Sequence, residues 1–245
     1  ISVLGTGVDH IDLAAASQLG ITISNTPDVS TEAVAEHALA LMLAVAKNIP
    51  AVHQETKNGK WVKGDSIQLY GKTLGVIGAG YIGRQMARLG KGIGMEVVAW
   101  TLHPSSEVAS KLGIRFVPLD ELLRTSDVVS INLRLSPDTV GLIGRRELGL
   151  MKPTAIIVNI ARGAIIDQKA LAEALKEGRI AGAGLDVFEQ EPIPPDDPIL
   201  KLDNVILTPH NASSTPEVVE KSSRRSVENV IAFLEGKPMN VVNNR

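Results

Sequence analysis

The 245-residue chain has no cysteine. That excludes disulfides and thiolate metal sites and fits a reducing compartment, so a cytoplasmic location and no metal centre are expected. Strong charge of one sign is missing too. The net charge is −2, and no basic cluster exceeds the pair Arg224-Arg225. Nothing electrostatic recommends nucleic acid or an anionic membrane as a partner, and neither is expected. A long apolar run is also lacking: AVAEHALALMLAVA, residues 33–46, is broken by Glu36 and His37 and falls short of a bilayer span. There is no internal repeat, no low-complexity tract and no visible signal peptide. The chain opens on Ile1 within ISVL, which reads as a strand, and shows no methionine there; the natural protein is expected to begin earlier.

Apolar residues make up 44% of the chain and charged residues 21%, an ordinary globular balance for one large domain or two modest ones. Short β-branched runs alternate with amphipathic stretches. The strands expected are Thr73–Ile77, Glu96–Trp100, Asp127–Ile131, Ala155–Asn159, Ile180–Leu185 and Val205–Leu207. Helices are expected at Tyr81–Gly90, Leu119–Leu123, Asp167–Glu177 and Glu217–Leu234. This alternation predicts an α/β fold, a doubly wound parallel sheet covered on both faces. A further helix, Thr31–Lys47, is apolar on more than one face and is expected to be buried between domains or between subunits.

The stretch TLGVIGAGYIGRQMARLG, residues 73–90, reads as strand, glycine turn and helix. Gly78 permits the tight turn, Gly80 lets backbone approach a pyrophosphate, and Gly83 lets helix and strand pack closely. The helix N-terminus attracts the phosphate charge. A dinucleotide site is therefore expected. The acidic residue that would hold an adenosine ribose 2′-hydroxyl about twenty positions on is missing: the strand Glu96–Trp100 is followed by Thr101, and no arginine stands in TLHPSS. The cofactor is NAD or NADP, with NAD slightly favoured.

Three other strand ends carry functional side chains to the side of the sheet where ligands bind. VNIARG delivers Arg162, LDVFEQEP delivers Asp186 and Glu191, and LTPHNASS delivers His210. His210 suits proton exchange near neutral pH, and a neighbouring Glu191 would favour imidazolium and orient the ring. Arg162 can grip a substrate carboxylate with two hydrogen bonds and polarise the adjacent carbonyl. Asp186 is placed to address the cofactor, and Glu189 is expected to be solvated. Of the other histidines, His37 is expected to be a packed core residue and His53 and His103 to be exposed; His10 lies near a glycine-rich loop.

These residues sit in stretches that resemble the D-isomer-specific 2-hydroxyacid dehydrogenases, the family of phosphoglycerate dehydrogenase and of glyoxylate/hydroxypyruvate reductases. The matching stretches are GTGVDHIDL, TPDVSTEAVAEHALALML, GKTLGVIGAGYIGR, LSPDTVGLI, MKPTAIIVNIARG, ALAEALKEGRIAGAGLDVFEQEP and NVILTPHNASST. The resemblance implies hydride transfer between a nicotinamide cofactor and a 2-hydroxy/2-oxo acid pair, with Arg162, Glu191 and His210 catalytic. It implies cofactor contacts at Gly78, Gly80, Tyr81, Ile82, Gly83, Thr101, Ile160, Ala161, Arg162, Asp186 and His210. It also implies that Gly5, Thr6 and Gly7 offer backbone N–H groups to the substrate carboxylate beside Arg162.

By the same resemblance the fold is a Rossmann-type domain, residues 26–210 with crossover helix 31–47, plus part of a smaller flavodoxin-like substrate domain, residues 1–25 and 211–245. A homodimer is implied, in keeping with the apolar helix Thr31–Lys47. Two departures stand out. Arg134, in INLRLSPDT, replaces a proline or apolar residue common in relatives, and most of the substrate domain's N-terminal segment is not in the sequence. Two other readings of the same likeness are an NAD(H)-sensing scaffold of the C-terminal-binding corepressor type and a formate dehydrogenase. The second is disfavoured, because relatives of that kind carry glutamine where Glu191 stands.

Overall fold

A computed structural model describes residues 1–243. The chain divides into two compact units, Val34–Ala212 and Ile1–Ala33 with Ser213–Arg245. The division falls inside the first turns of the helix Thr31–Ala46 and two residues past His210. Near the second of these points the amides of Asn211 and Ala212 are hydrogen-bonded to Asp186, which follows a strand of the larger unit.

The larger unit is built on seven strands: β1 (Thr73–Ile77), β2 (Glu96–Trp100), β3 (Arg115–Phe116), β4 (Val128–Ile131), β5 (Ile156–Asn159), β6 (Gly182–Leu185) and β7 (Val205–Leu207). Their order is β3-β2-β1-β4-β5-β6-β7, and every pairing is parallel. Side chains alternate between the two faces of a strand, and here each face feeds its own core. Val128, Ile156 and Val158 join Leu74 and Val76 on one side. Val129, Ile131 and Ile157 join Ile77 on the other. Strands β4, β5 and β6 are buried along their whole length, which is why they read as near-continuous apolar runs rather than as alternating ones.

The helix Thr31–Ala46 is buried on one side within this chain, while Leu39, Leu43 and Val45 are half-buried. Val34, Ala38, Leu41, Met42 and Ala46 are buried in the core that lines one side of the sheet. Glycines in β6 make the approach possible: a Cβ on Gly184 would come within 2.9 Å of Leu41 Cβ, and one on Gly182 within 2.8 Å of Val45 Cγ1. The small-residue run AGAG is therefore a groove for a helix.

In the smaller unit, ISVL forms no strand; Ser2 makes an isolated parallel bridge to Ser24. The helix Leu13–Gln18 starts at Asp12, whose Oδ1 accepts from the Ala15 amide at 2.8 Å. The helix Pro216–Leu234 starts at Thr215 in the same manner. Asn229, 1% exposed, donates to the Asn25 carbonyl at 2.8 Å and accepts from Asn240 Nδ2 at 2.8 Å, tying that helix to the loops beside it. Among the described residues no helix is long and apolar enough to cross a membrane.

Candidate active site

The glycine turn follows β1. Gly78 has φ +96°, and a Cβ there would meet the Asn132 carbonyl at 2.8 Å, so the turn lies against the segment that leaves β4. Gly83 is closed in by the Gly78 carbonyl, as close packing of helix on strand requires. Gly80 differs: a Cβ added to it would meet no protein atom within 4 Å. It is the N-cap of the helix Tyr81–Gly92 and supplies no side-chain cap to the first amides. Protein packing does not demand glycine there. An open backbone face beside uncapped helix N–H groups fits the diphosphate of a dinucleotide.

Tyr81 is exposed and Ile82 is half-buried beside this turn. Thr101, half-buried, directly follows β2. Ile160 and Ala161 have their side chains in the two cores, 6% and 8% exposed, so they present main chain rather than side chain. Arg134 is exposed in the loop after β4, its carbonyl held by the buried Thr139 hydroxyl at 2.8 Å.

Arg162 is delivered by β5 through a turn that Asn159 pins. Asn159, 1% exposed, accepts from the Ala161 amide at 3.0 Å and donates from Nδ2 to the Arg162 carbonyl at 2.9 Å. Gly163 then passes so close to the next loop that a Cβ would overlap the Phe188 carbonyl group. Neither residue was singled out from the sequence. The available signal was a polar asparagine closing an otherwise apolar strand.

Glu191 and His210 meet. His210 Nδ1 lies 2.7 Å from Glu191 Oε2, while Glu191 Oε1 accepts from the Phe188 amide at 3.0 Å. Both side chains keep access to solvent, at 45% and 36% exposure for His210 and Glu191. They border a cavity of about 520 Å³ whose other walls are mainly apolar, among them Phe188, Ile193, Leu200 and Leu207.

Asp186 also has a place inside the protein. It is 0% exposed, and its carboxylate is directed into the protein, accepting from the Thr208 hydroxyl at 2.6 Å and the amides of Asn211 and Ala212 at 3.0 Å each. What it visibly does is hold the loop that carries His210. His37 departs from its expected place: it is half-buried, not packed in the core, and its Nε2 lies 2.9 Å from Thr208 Oγ1 and 3.5 Å from Asp186 Oδ1. Glu189 is exposed, as expected of a solvated residue, yet it also caps the helix Gln168–Lys176, its Oε1 accepting from the Gln168 amide at 3.1 Å. His10, His53 and His103 are exposed.

In the smaller unit the Gly5 amide donates to Thr26 Oγ1 at 2.8 Å and the Thr6 carbonyl accepts from Asn25 Nδ2 at 2.8 Å. The Gly5 amide is thus already engaged, and the anion-binding expectation falls to the amides of Thr6 and Gly7.

A family model described as D-isomer specific 2-hydroxyacid dehydrogenase, NAD binding domain, matches residues 39–212. A glyoxylate reductase of Korarchaeum cryptofilum is 46% identical over 244 residues, which are 97% of this chain and 74% of that protein. A D-3-phosphoglycerate dehydrogenase of Methanocaldococcus jannaschii is also 46% identical, over 98% of this chain but only 46% of its own length. The crystal structure of D-lactate dehydrogenase from Aquifex aeolicus, complexed with NAD and lactic acid, superposes with a TM-score of 0.92 at 33% identity, covering 100% of this chain and 80% of that one.

Proposed function

This chain belongs to the D-isomer-specific 2-hydroxyacid dehydrogenase family, and from that premise we propose that it interconverts a 2-oxo acid and a D-2-hydroxy acid with a nicotinamide cofactor. The observation that carries the reading is the 2.7 Å contact between His210 Nδ1 and Glu191 Oε2 at the edge of an accessible cavity. An ionised carboxylate only accepts, so Nδ1 is the donor in this contact. Nε2 is left as the nitrogen that exchanges a proton with substrate oxygen.

When bound, the reduced nicotinamide supplies the hydride. The residues of the chain do the rest. In the direction of reduction, His210 gives the proton that turns the carbonyl oxygen into a hydroxyl, and in the reverse direction it takes that proton back. Glu191 offsets the positive charge on the ring and fixes its rotation. Arg162, set by the Asn159 turn, supplies the guanidinium for the substrate carboxylate and polarises the adjacent carbonyl. The open face of Gly80 and the first amides of the helix Tyr81–Gly92 hold the cofactor diphosphate. Thr101 stands at the adenosine ribose, where a neutral side chain admits NAD and NADP alike.

The test is direct. The full-length protein is mixed with glyoxylate, hydroxypyruvate or pyruvate, and the absorbance of NADH or NADPH is followed. Oxidation of the cofactor with at least one of these acids is expected. Cofactor binding without turnover across a broad panel of 2-oxo acids would replace this reading with that of a cofactor-sensing scaffold.

A further inference from the structure

The loop that carries His210 is gripped from β6 by one residue, and two side chains outside the proposed proton transfer hold that residue in turn. Asp186 receives three consecutive backbone amides. The His210 amide donates to its carbonyl oxygen at 2.8 Å, the Asn211 amide to Oδ1 at 3.0 Å and the Ala212 amide to Oδ2 at 3.0 Å. Within this grip His210 has φ +52°, the left-handed region that residues with a Cβ disfavour. The unfavourable backbone of His210 and the three-amide hold of Asp186 are parts of one arrangement.

Thr208 and His37 complete it. The Thr208 hydroxyl donates to Asp186 Oδ1 at 2.6 Å. A hydroxyl carries one proton. Once that proton is directed to the carboxylate, the 2.9 Å contact between Thr208 Oγ1 and His37 Nε2 must be donated by the histidine. The chain of donors therefore has a single direction, from His37 Nε2–H to Thr208 Oγ1–H to Asp186 Oδ1, and it assigns the Nε2 proton of His37 from its partners. His37 comes from the helix Thr31–Ala46 and Thr208 follows β7, so the chain joins elements from opposite ends of the larger unit's sequence.

We infer that Thr208 and His37 are positioning residues for the reaction. They orient the Asp186 carboxylate so that it keeps the Asn211 and Ala212 amides, and this holds His210 in its left-handed conformation with Nδ1 on Glu191. The inference rests on the reading of His210 as the proton-transferring group. Its structural half, the hold on the loop, stands on the hydrogen bonds alone.

Four variants of the full-length protein test it: Thr208→Val and His37→Leu, which break the chain, and Thr208→Ser and His37→Gln, which keep a hydroxyl or an N–H donor. Two readouts are needed, hydrogen exchange of the amides of residues 210–212 and steady-state kinetics with glyoxylate. For Thr208→Val we expect faster exchange and a kcat lowered by about 10- to 100-fold, the range for losing a hydrogen bond to a charged group. Cofactor affinity should stay within about twofold, because the glycine turn is untouched. Thr208→Ser should restore both readouts, His37→Leu should follow Thr208→Val, and His37→Gln should lie near wild type.

Unchanged exchange in both chain-breaking variants overturns the inference. So does a Thr208→Ser protein as impaired as Thr208→Val, because the hydroxyl that serine keeps would then not be what holds the loop. If Thr208→Val does not fold, the His37 pair decides alone. A wild-type protein inert towards every 2-oxo acid defeats the proposed function instead, and the exchange arm still decides whether Thr208 and His37 hold the loop.

Discussion

His210 Nδ1 lies 2.7 Å from Glu191 Oε2, although the two residues leave different strands, β7 and β6. Glu191 is itself aligned by the Phe188 amide, which donates to its other carboxylate oxygen at 3.0 Å. The carboxylate is therefore fixed before it meets the imidazole, and the imidazole is fixed by both that contact and the left-handed backbone of its own residue. Orientation of this kind is what the proposed role of His210 as general acid requires.

His210→Ala should lower kcat by about 10²- to 10⁴-fold, the usual contribution of a positioned acid-base group. Cofactor affinity, read from quenching of tryptophan fluorescence, should hardly change. Glu191→Gln should cost less than His210→Ala, because the amide can still accept from Nδ1 but carries no charge. Equal turnover by His210→Ala and wild type would remove the mechanism.

Gly163 offers a steric test of the same site. Its α-carbon abuts the Phe188 carbonyl, on the loop that aligns Glu191, while the preceding residue is Arg162. Gly163→Ala forces backbone against backbone and has no flexible side chain to displace. It should depress kcat/KM by at least about tenfold, since small misplacements of catalytic groups cost that much or more. Gly80→Ala, in contrast, has room in the protein and should weaken cofactor binding with little loss of stability. Kinetics paired with thermal unfolding distinguish the two, and equal destabilisation by both would contradict the ligand-facing role of Gly80.

Cofactor preference turns on Thr101. A carboxylate at this strand end would accept from the ribose 2′-hydroxyl of NAD and repel the 2′-phosphate of NADP. Thr101→Asp should raise the KM for NADPH by about tenfold or more while leaving that for NADH nearly unchanged, a difference of about 1.4 kcal/mol. A parallel rise for both cofactors would put the ribose elsewhere.

Much of this site was legible because strand ends are legible. An unbroken apolar run followed by a polar residue marks both a buried strand and the edge where ligands bind, and Arg162, Glu191 and His210 all follow such runs. The two-residue β3 left no period to detect. His37 was misread because its neighbours on the helix are apolar, while the partner that explains it, Thr208, lies 171 positions away. The hold that Asp186 has on a neighbouring loop was invisible for a related reason. A carboxylate after a strand looks available until the amides of Asn211 and Ala212 are seen to occupy it. The small residues of AGAG were visible as a pattern, but their purpose depended on Leu41 and Val45 arriving from a distant helix.

Stability should depend on pH through Asp127, just before β4. Burial opposes its ionisation, but the Thr73 amide at 2.9 Å, Lys152 at 3.0 Å and Lys72 at 3.7 Å outweigh this and hold the carboxyl below its ordinary value of 3.8. The lowered folded-state value means that the unfolded chain binds more protons between the two values, so stability rises with pH across that interval. The contribution is complete above the unfolded value and is lost as pH falls through the folded one. Asp127→Asn keeps an acceptor for Thr73 but removes the charge opposite the lysines, and it should cost about 1–2 kcal/mol at pH 7. In denaturant unfolding at a series of pH values, the difference between wild type and Asp127→Asn should hold steady down to about pH 5 and shrink below about pH 4. A difference that persists undiminished at pH 2 would mean that Asp127 acts through packing and not through its charge.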